Sequence, residues 1–288
     1  MPLKYPVTSR DSVMEEYHGQ AIKDPYRWLE DDHSEKTKEW VQEENAVTNE
    51  YLSQIPFRNL IRNRLEQIWN YERYGTPFKK GGKYYYFKND GLQNQSVLYQ
   101  QESLHGPATI ILDPNTFSTD GTVSLGSISF NQKGNLLAYT LSEGGSDWRK
   151  IYVKDLDTGA LLDDQIEWVK FSGISWSGNG FYYGRFPTPS DSDKLSGQNQ
   201  YHKLFYHEIG TTQESDILIV EDPSRPQRNF YAMTTEDEHY LCVSASESTS
   251  GNALFVEDLK QKGPRITLEK NFDSDLRVID NVDNHLYI

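Results

Sequence analysis

Serine acyl transfer needs a nucleophile on a sharp turn, a histidine base and an orienting carboxylate, and a nucleophile of this kind is commonly announced by Gly-x-Ser-x-Gly. The 288 residues hold no such pentapeptide. The nearest string, Gly173-Ile174-Ser175-Trp176-Ser177, lacks the second glycine and stands at the entrance to a predicted strand, so Ser175 is expected to be structural. The seven histidines, His18, His33, His105, His202, His207, His239 and His285, show no His-Glu-x-x-His spacing, and no cysteines accompany them to build a zinc cluster. Neither a metal nor a cofactor is expected. His202 and His207 lie on or beside one predicted strand at an odd separation, which sends their side chains to opposite faces. Cys242, the single cysteine, excludes an internal disulfide and reads as strand core within Tyr240-Leu241-Cys242-Val243. Gly144-Gly145 is followed by no Lys-Ser or Lys-Thr, so it reads as a hairpin turn, not a phosphate loop. Residue spacing thus assigns no catalytic residue.

The elements that carry these residues come from an acidic chain, with 43 Asp and Glu against 29 Lys and Arg and a formal charge of −14. No basic run offsets that field, which argues against nucleic acid as a partner and for a solvated acidic surface. The start, Met1-Pro2-Leu3-Lys4-Tyr5-Pro6, is not an apolar targeting stretch, and no run of about 18 apolar residues occurs. No membrane association and a cytoplasmic location are the expectations.

Two helices are predicted first. Asp32 with Glu35 supplies a cap signal, after which Trp40, Val41, Val47, Tyr51 and Leu52 share a face. Beyond Pro56, residues Phe57, Leu60, Ile61, Leu65, Ile68 and Trp69 repeat at helical period until Gly75 and Pro77. From Gly81 onward the pattern becomes short runs rich in Tyr, Phe, Val and Ile, divided by Gly, Asn and Asp. A turn followed by an apolar strand recurs at Gly82, Gly134, Gly180, Glu238 and Asn284, in steps of about 50 residues. After each of the first four comes a second strand, and three of these end in an acidic residue followed by Leu or Ile, as in Asp155-Leu156, Glu208-Ile209 and Asp258-Leu259. Third strands are predicted at 109–112 and 217–220, and the longest step carries a loop from Pro187 to Gln200. Units of this size with about four strands are propeller blades. The fold class is therefore mainly β: a helical segment over 1–75, then an incomplete β-propeller over 76–288, with four blades and the first strand of a fifth.

Asp24-Pro25-Tyr26-Arg27-Trp28-Leu29-Glu30-Asp31 is a specific string, and it resembles the leader of prolyl oligopeptidases, serine endopeptidases that cleave short peptides after proline. Glu44-Asn45, Leu112-Asp113-Pro114-Asn115, Gly144-Gly145-Ser146-Asp147-Trp148 and Phe171-Ser172-Gly173-Ile174-Ser175-Trp176 continue the likeness, which runs from Tyr5 to near the end. The resemblance implies a seven-bladed propeller that covers an α/β-hydrolase domain and admits short proline-containing peptides. It implies that this chain supplies the leader and blades one to four, that the remaining blades, the hydrolase domain and its catalytic triad are missing, and that the chain alone is inactive. Stopping inside a strand, the chain looks cut short. One substrate contact follows from the resemblance: Phe171 matches an aromatic residue that leans toward the peptide beside the proline pocket, against the reading of Phe171 as blade core. At two further contact positions the family has methionine and cysteine where this chain has Asn229 and Thr249, so those roles do not transfer. The alternative is a non-enzymatic half-propeller that pairs with another chain through open sheet edges.

Overall fold

The computed structural model describes residues 3–31, 34–190 and 197–288. They form two compact units, one of residues 1–70 with 190–197 and the other of residues 71–189 with 198–288.

The first unit opens with a hairpin of β1 (Met14–Tyr17) and β2 (Gln20–Lys23), which has no apolar alternation to announce it. Helices α1 (Glu35–Ser53) and α2 (Arg58–Trp69) follow. Asp32, expected as the cap of α1, lies outside the described residues; the cap is Ser34, whose Oγ accepts the Thr37 amide at 3.2 Å. The Asp24–Asp31 string ties hairpin to helix. Arg27 donates to Glu15 at 2.6 Å and to Asp24 at 2.7 Å, while Trp28 donates to the Ser9 carbonyl at 3.1 Å and meets Trp40 edge-on at 6.3 Å. Hydrogen bonds from Arg27 and Tyr17 hold the Glu15 carboxyl down at about 2. Trp40 thus turns inward, whereas α2 buries no residue: Leu60, Ile61, Leu65 and Ile68 are 73, 50, 49 and 49% exposed.

The second unit is built of antiparallel blades. Blade one contains β3 (Arg73–Tyr74), β4 (Phe78–Lys80), β5 (Lys83–Asn89), β6 (Val97–Gln101) and β7 (Ala108–Leu112). Residues 71–75, placed with the helical segment by sequence, belong here because Arg73 and Tyr74 pair with Asn89 and Lys88. Blade two contains β8 (Val123–Phe130), β9 (Leu136–Glu143), β10 (Arg149–Asp155) and the first half of β11 (Leu161–Ser177). Blade three begins with the second half of β11 and continues through β12 (Gly180–Arg185), β13 (Lys203–Glu208) and β14 (Ile217–Val220). Blade four is β15 (Asn229–Thr234), β16 (Tyr240–Ser246), β17 (Ala253–Asp258) and β18 (Ile266–Glu269). A two-stranded pair, β19 (Asp280–Val282) and β20 (His285–Tyr287), starts the next repeat.

The core lies between blades. Period-two alternation on β9 sends Leu137 and Tyr139 toward blade one and Ala138 toward blade three. On β12, Phe181 and Tyr183 join the blade-two side while Tyr182 joins blade four; on β16, Leu241 and Val243 face blade three and Cys242 faces Val278. A buried side chain of this kind is worth about 1.5–3 kcal/mol, against about 0–1 for an exposed ion pair, so these layers dominate the stability. Hydroxyls stitch the inner strands: Trp176 donates to the Ser129 carbonyl at 3.0 Å, and Ser175 Oγ accepts the Thr234 amide at 2.8 Å.

The recurrent acid-then-apolar ending has a physical reason. Leu156, Ile209 and Leu259 donate their amides to the carbonyls of Asn135, Asn179 and His239 at 2.8, 3.0 and 2.9 Å, which closes the two middle strands of blades two, three and four at one end. The carboxylates of Asp155 and Asp258 accept the amides two and three residues on, fixing the turn that follows.

Blades two and three also share a buried ionic chain. His207, fully buried, contacts Asp216 through Nδ1 at 2.7 Å and Asp164 through Nε2 at 3.0 Å; Asp216 accepts from Tyr183 at 2.5 Å and Asp164 from the Gly210 amide at 2.6 Å. Burial pulls the imidazole down, but the two carboxylates outweigh it and its pKa rises above 6.5. A raised folded value stabilises fully below the unfolded pKa and is lost as pH climbs through the folded one. The expected outcome is a urea midpoint that declines as pH is raised from 6.5 upward, with His207→Gln removing that part of the slope.

The turns of blades one and two meet backbone to backbone. Gly134 has φ of +71°, and a Cβ there would lie 2.6 Å from the Gly81 Cα. Gly134→Ala combines that clash with a disfavoured φ, so a loss of about 2–3 kcal/mol in urea denaturation is expected. An unchanged midpoint would show that the two turns part freely.

Candidate functional site

The candidate site forms where β11 leaves one blade for the next. Its first half ends in register with β10 at Arg149↔Val169, and its second half resumes with β12 at Ile174↔Tyr183. The residues between include Phe171 at φ of +52°, just after Trp168 at +61°. Bulky side chains rarely adopt this region, so the surroundings must hold them there.

An aromatic group does so. Trp148 meets Trp168 at 5.7 Å and Phe186 at 6.2 Å, both edge-on, and Phe186 meets Phe171 at 6.2 Å. The Lys170 ammonium lies 5.1 Å from the Trp148 ring and 5.4 Å from that of Phe171, with Asp147 at 3.5 Å. Ser172 Oγ accepts the Gly184 amide at 2.7 Å, which ties the bend to β12. Phe186 is buried, whereas Phe171 keeps 50% of its surface exposed. Its ring is a half-open aromatic wall that can receive an apolar side chain without making hydrogen-bonding demands. The same arrangement leaves Phe171 outside the buried layers of blades two and three.

The other candidates are dispersed. Ser175 lies inside β11, and its hydroxyl is engaged with Thr234 at the seam of blades three and four. Among the described residues no histidine bonds a serine hydroxyl. His202 and His207 do face opposite ways: His202 accepts the Phe230 amide on β15 through Nδ1 at 3.0 Å, while His207 binds Asp164 on β11. Asn229 opens β15, half-buried, and Thr249 is exposed between β16 and β17. Gly144-Gly145 forms the β9–β10 turn, both with positive φ, closed by the Ser146 amide on the Glu143 carbonyl. Spacing in the sequence did not reveal Phe186 and His202 as neighbours of the Phe171 bend, since they meet only once the strands have paired. Grooves of 690 Å³ beside Asp163 and Glu214 and of 380 Å³ beside Ser129 and Thr234 are not lined by Phe171.

With this geometry in place, likeness to known proteins becomes informative. The sequence profile described as "Prolyl oligopeptidase, N-terminal beta-propeller domain" matches residues 5–288. The chain belongs to the prolyl oligopeptidase family. It is 48% identical over 287 residues to a prolyl endopeptidase of Elizabethkingia meningoseptica, covering 99% of this chain and 41% of the relative. Prolyl oligopeptidase A of Amanita bisporigera is 32% identical over 328 aligned positions, covering 100% of this chain and 43% of the relative. Among solved structures, prolyl oligopeptidase B of Galerina marginata bound to a 35mer hydrolysis and macrocyclization substrate superposes with a TM-score of 0.83 at 28% identity, covering 100% of this chain and 44% of that one. The chain therefore spans well under half the length of these prolyl oligopeptidases, within the portion that holds their N-terminal propeller.

Cys242 is 3% exposed, and burial pushes its thiol up to about 11. It is therefore protonated and shielded at neutral pH. A disulfide reagent is expected to leave it unmodified in native buffer and to titrate one thiol per chain in urea. Rapid native labelling would contradict its place between Val256 and Val278.

Proposed function

We propose that this chain is the leader and the first four blades of the substrate-gating propeller of a prolyl oligopeptidase-like serine endopeptidase that cleaves short peptides after proline. The nucleophile, base and carboxylate come from an α/β-hydrolase domain outside these residues. The observation that carries the reading is the match of residues 5–288 to the family's propeller, in a sequence without Gly-x-Ser-x-Gly.

Each part then has a physical task. The blades restrict access, so that extended short peptides enter and folded proteins do not. The uncovered apolar face of α2, Leu60, Ile61, Leu65 and Ile68, is where the leader meets the hydrolase domain. Phe171 offers its ring beside the proline pocket. No cofactor takes part, since acyl transfer by an activated serine needs none. No helix among the described residues is long and apolar enough to cross a membrane. A cytoplasmic location belongs to the proposal, and the buried, reduced Cys242 accords with it.

The test joins residues 1–288 to the remaining part of the Elizabethkingia meningoseptica relative and assays a proline-containing chromogenic peptide. The joined enzyme is expected to turn over, and residues 1–288 alone are not. In the joined enzyme Phe171→Ala is expected to raise KM by about tenfold with kcat changed less than about threefold, the pattern of lost binding. Turnover by residues 1–288 alone that survives a serine-reactive phosphonate would overturn the reading.

A further inference from the structure

His202 has no part in the acyl transfer or in peptide contact as proposed above, yet it is 1% exposed at the back of the Phe171 bend. Its Nδ1 accepts the Phe230 amide at 3.0 Å, so the ring proton of the neutral imidazole resides on Nε2. That nitrogen is enclosed and has no hydrogen-bond partner among the described residues, and the backbone of Lys170, the residue before Phe171, opposes the effect of burial on the ring. Burial holds the imidazole down at about 4, so it remains the neutral, single-proton form. The ring has room only because position 184 is glycine: a Cβ there would lie 2.4 Å from Cε1 and 2.7 Å from Nε2 of His202. The same Gly184 donates its amide to Ser172, the residue after Phe171. Phe186 completes the support, its ring 4.7 Å from that of His202 and 6.2 Å from that of Phe171.

We propose that His202 is a positioning residue, which braces the Lys170–Ser172 bend from beneath and sets the attitude of the Phe171 ring toward the peptide. The proposal rests on the reading of Phe171 as a substrate contact. The brace runs between blades, since Phe230 of blade four fixes the imidazole that supports a bend of β11. Misplacement of a contact by a small shift in its support weakens substrate binding while the reacting groups stay in place.

The test uses the joined full-length enzyme. His202→Asn keeps an acceptor for Phe230 but withdraws the ring from Gly184 and Phe186, and is expected to raise KM by about tenfold with kcat within about twofold. His202→Gln presents an amide nitrogen near the Nε2 position and is expected to restore KM to within about threefold of the parent. In a Phe171→Ala background, His202→Asn is expected to add nothing to KM. Ser172→Ala, which cuts the other tie of the bend, is expected to behave in the same way should His202→Asn fail to fold. An equal and additive rise in both backgrounds, or a parent-like KM in His202→Asn where Phe171→Ala raises it, overturns the proposal. If Phe171→Ala leaves KM unchanged, the substrate reading fails by itself. The fluorine signal of 4-fluorophenylalanine installed in place of Phe171 then decides the positioning: movement in His202→Asn but not in His202→Gln sustains it, and indifference to both overturns it.

Discussion

One strand serves two blades, and much else follows from that economy. β11 is locked to β10 by Ile166 and Val169 and to β12 by Ile174, Ser175 and Trp176, so its path is fixed on both sides of the bend. The residues between must absorb the change of direction, and Trp168 and Phe171 do so in left-handed backbone, at a cost of about 1–3 kcal/mol each. The apolar layers on either side repay that strain. A side chain at such a bend cannot continue the inward and outward alternation of a strand, which is why Phe171 ends half-exposed between two well-packed sheets.

The blades are joined by three kinds of interaction with different reach. Apolar layers fill the space between neighbouring sheets and carry the energy. Hydroxyls and one indole, on Ser129, Ser175, Thr234 and Trp176, set the spacing of the inner strands, where side chains must be small enough for the sheets to converge. The Asp164–His207–Asp216 chain is the exception, a charged group inside an apolar seam. It persists because both imidazole nitrogens and both carboxylates are engaged, which offsets the cost of their desolvation.

The middle strands were legible in the sequence because each is packed on both faces: Leu136-Leu137-Ala138-Tyr139 and Tyr240-Leu241-Cys242-Val243 are continuous apolar runs of the kind that only doubly covered strands have. The inner strands were harder to read. Val123–Phe130 and Asn229–Thr234 mix serine, asparagine and threonine with apolar residues because they meet neighbours through hydroxyls, and their pattern resembles that of a loop. The β1–β2 hairpin left no apolar signal since its residues stay largely exposed and it is tied to the following turn through Arg27 and Glu15. At the candidate site, Phe171 was visible only through family likeness. Its support was not visible at all, because Phe186, His202 and Phe230 come from three strands or their margins and meet only after the sheets have stacked.

The amide clamps at Asn135, Asn179 and His239 close the middle strands of blades two, three and four from inside the blade. In blade three, six consecutive partners from Gly180↔Glu208 to Arg185↔Lys203 then run back toward the connection of residues 186–202. Register there is set at the end remote from Phe186 and His202, so a substitution at either of them is not passed on as a slide of one strand along the other. That lets the aromatic support of the bend be reshaped to suit another side chain while the seams on both sides keep their partners.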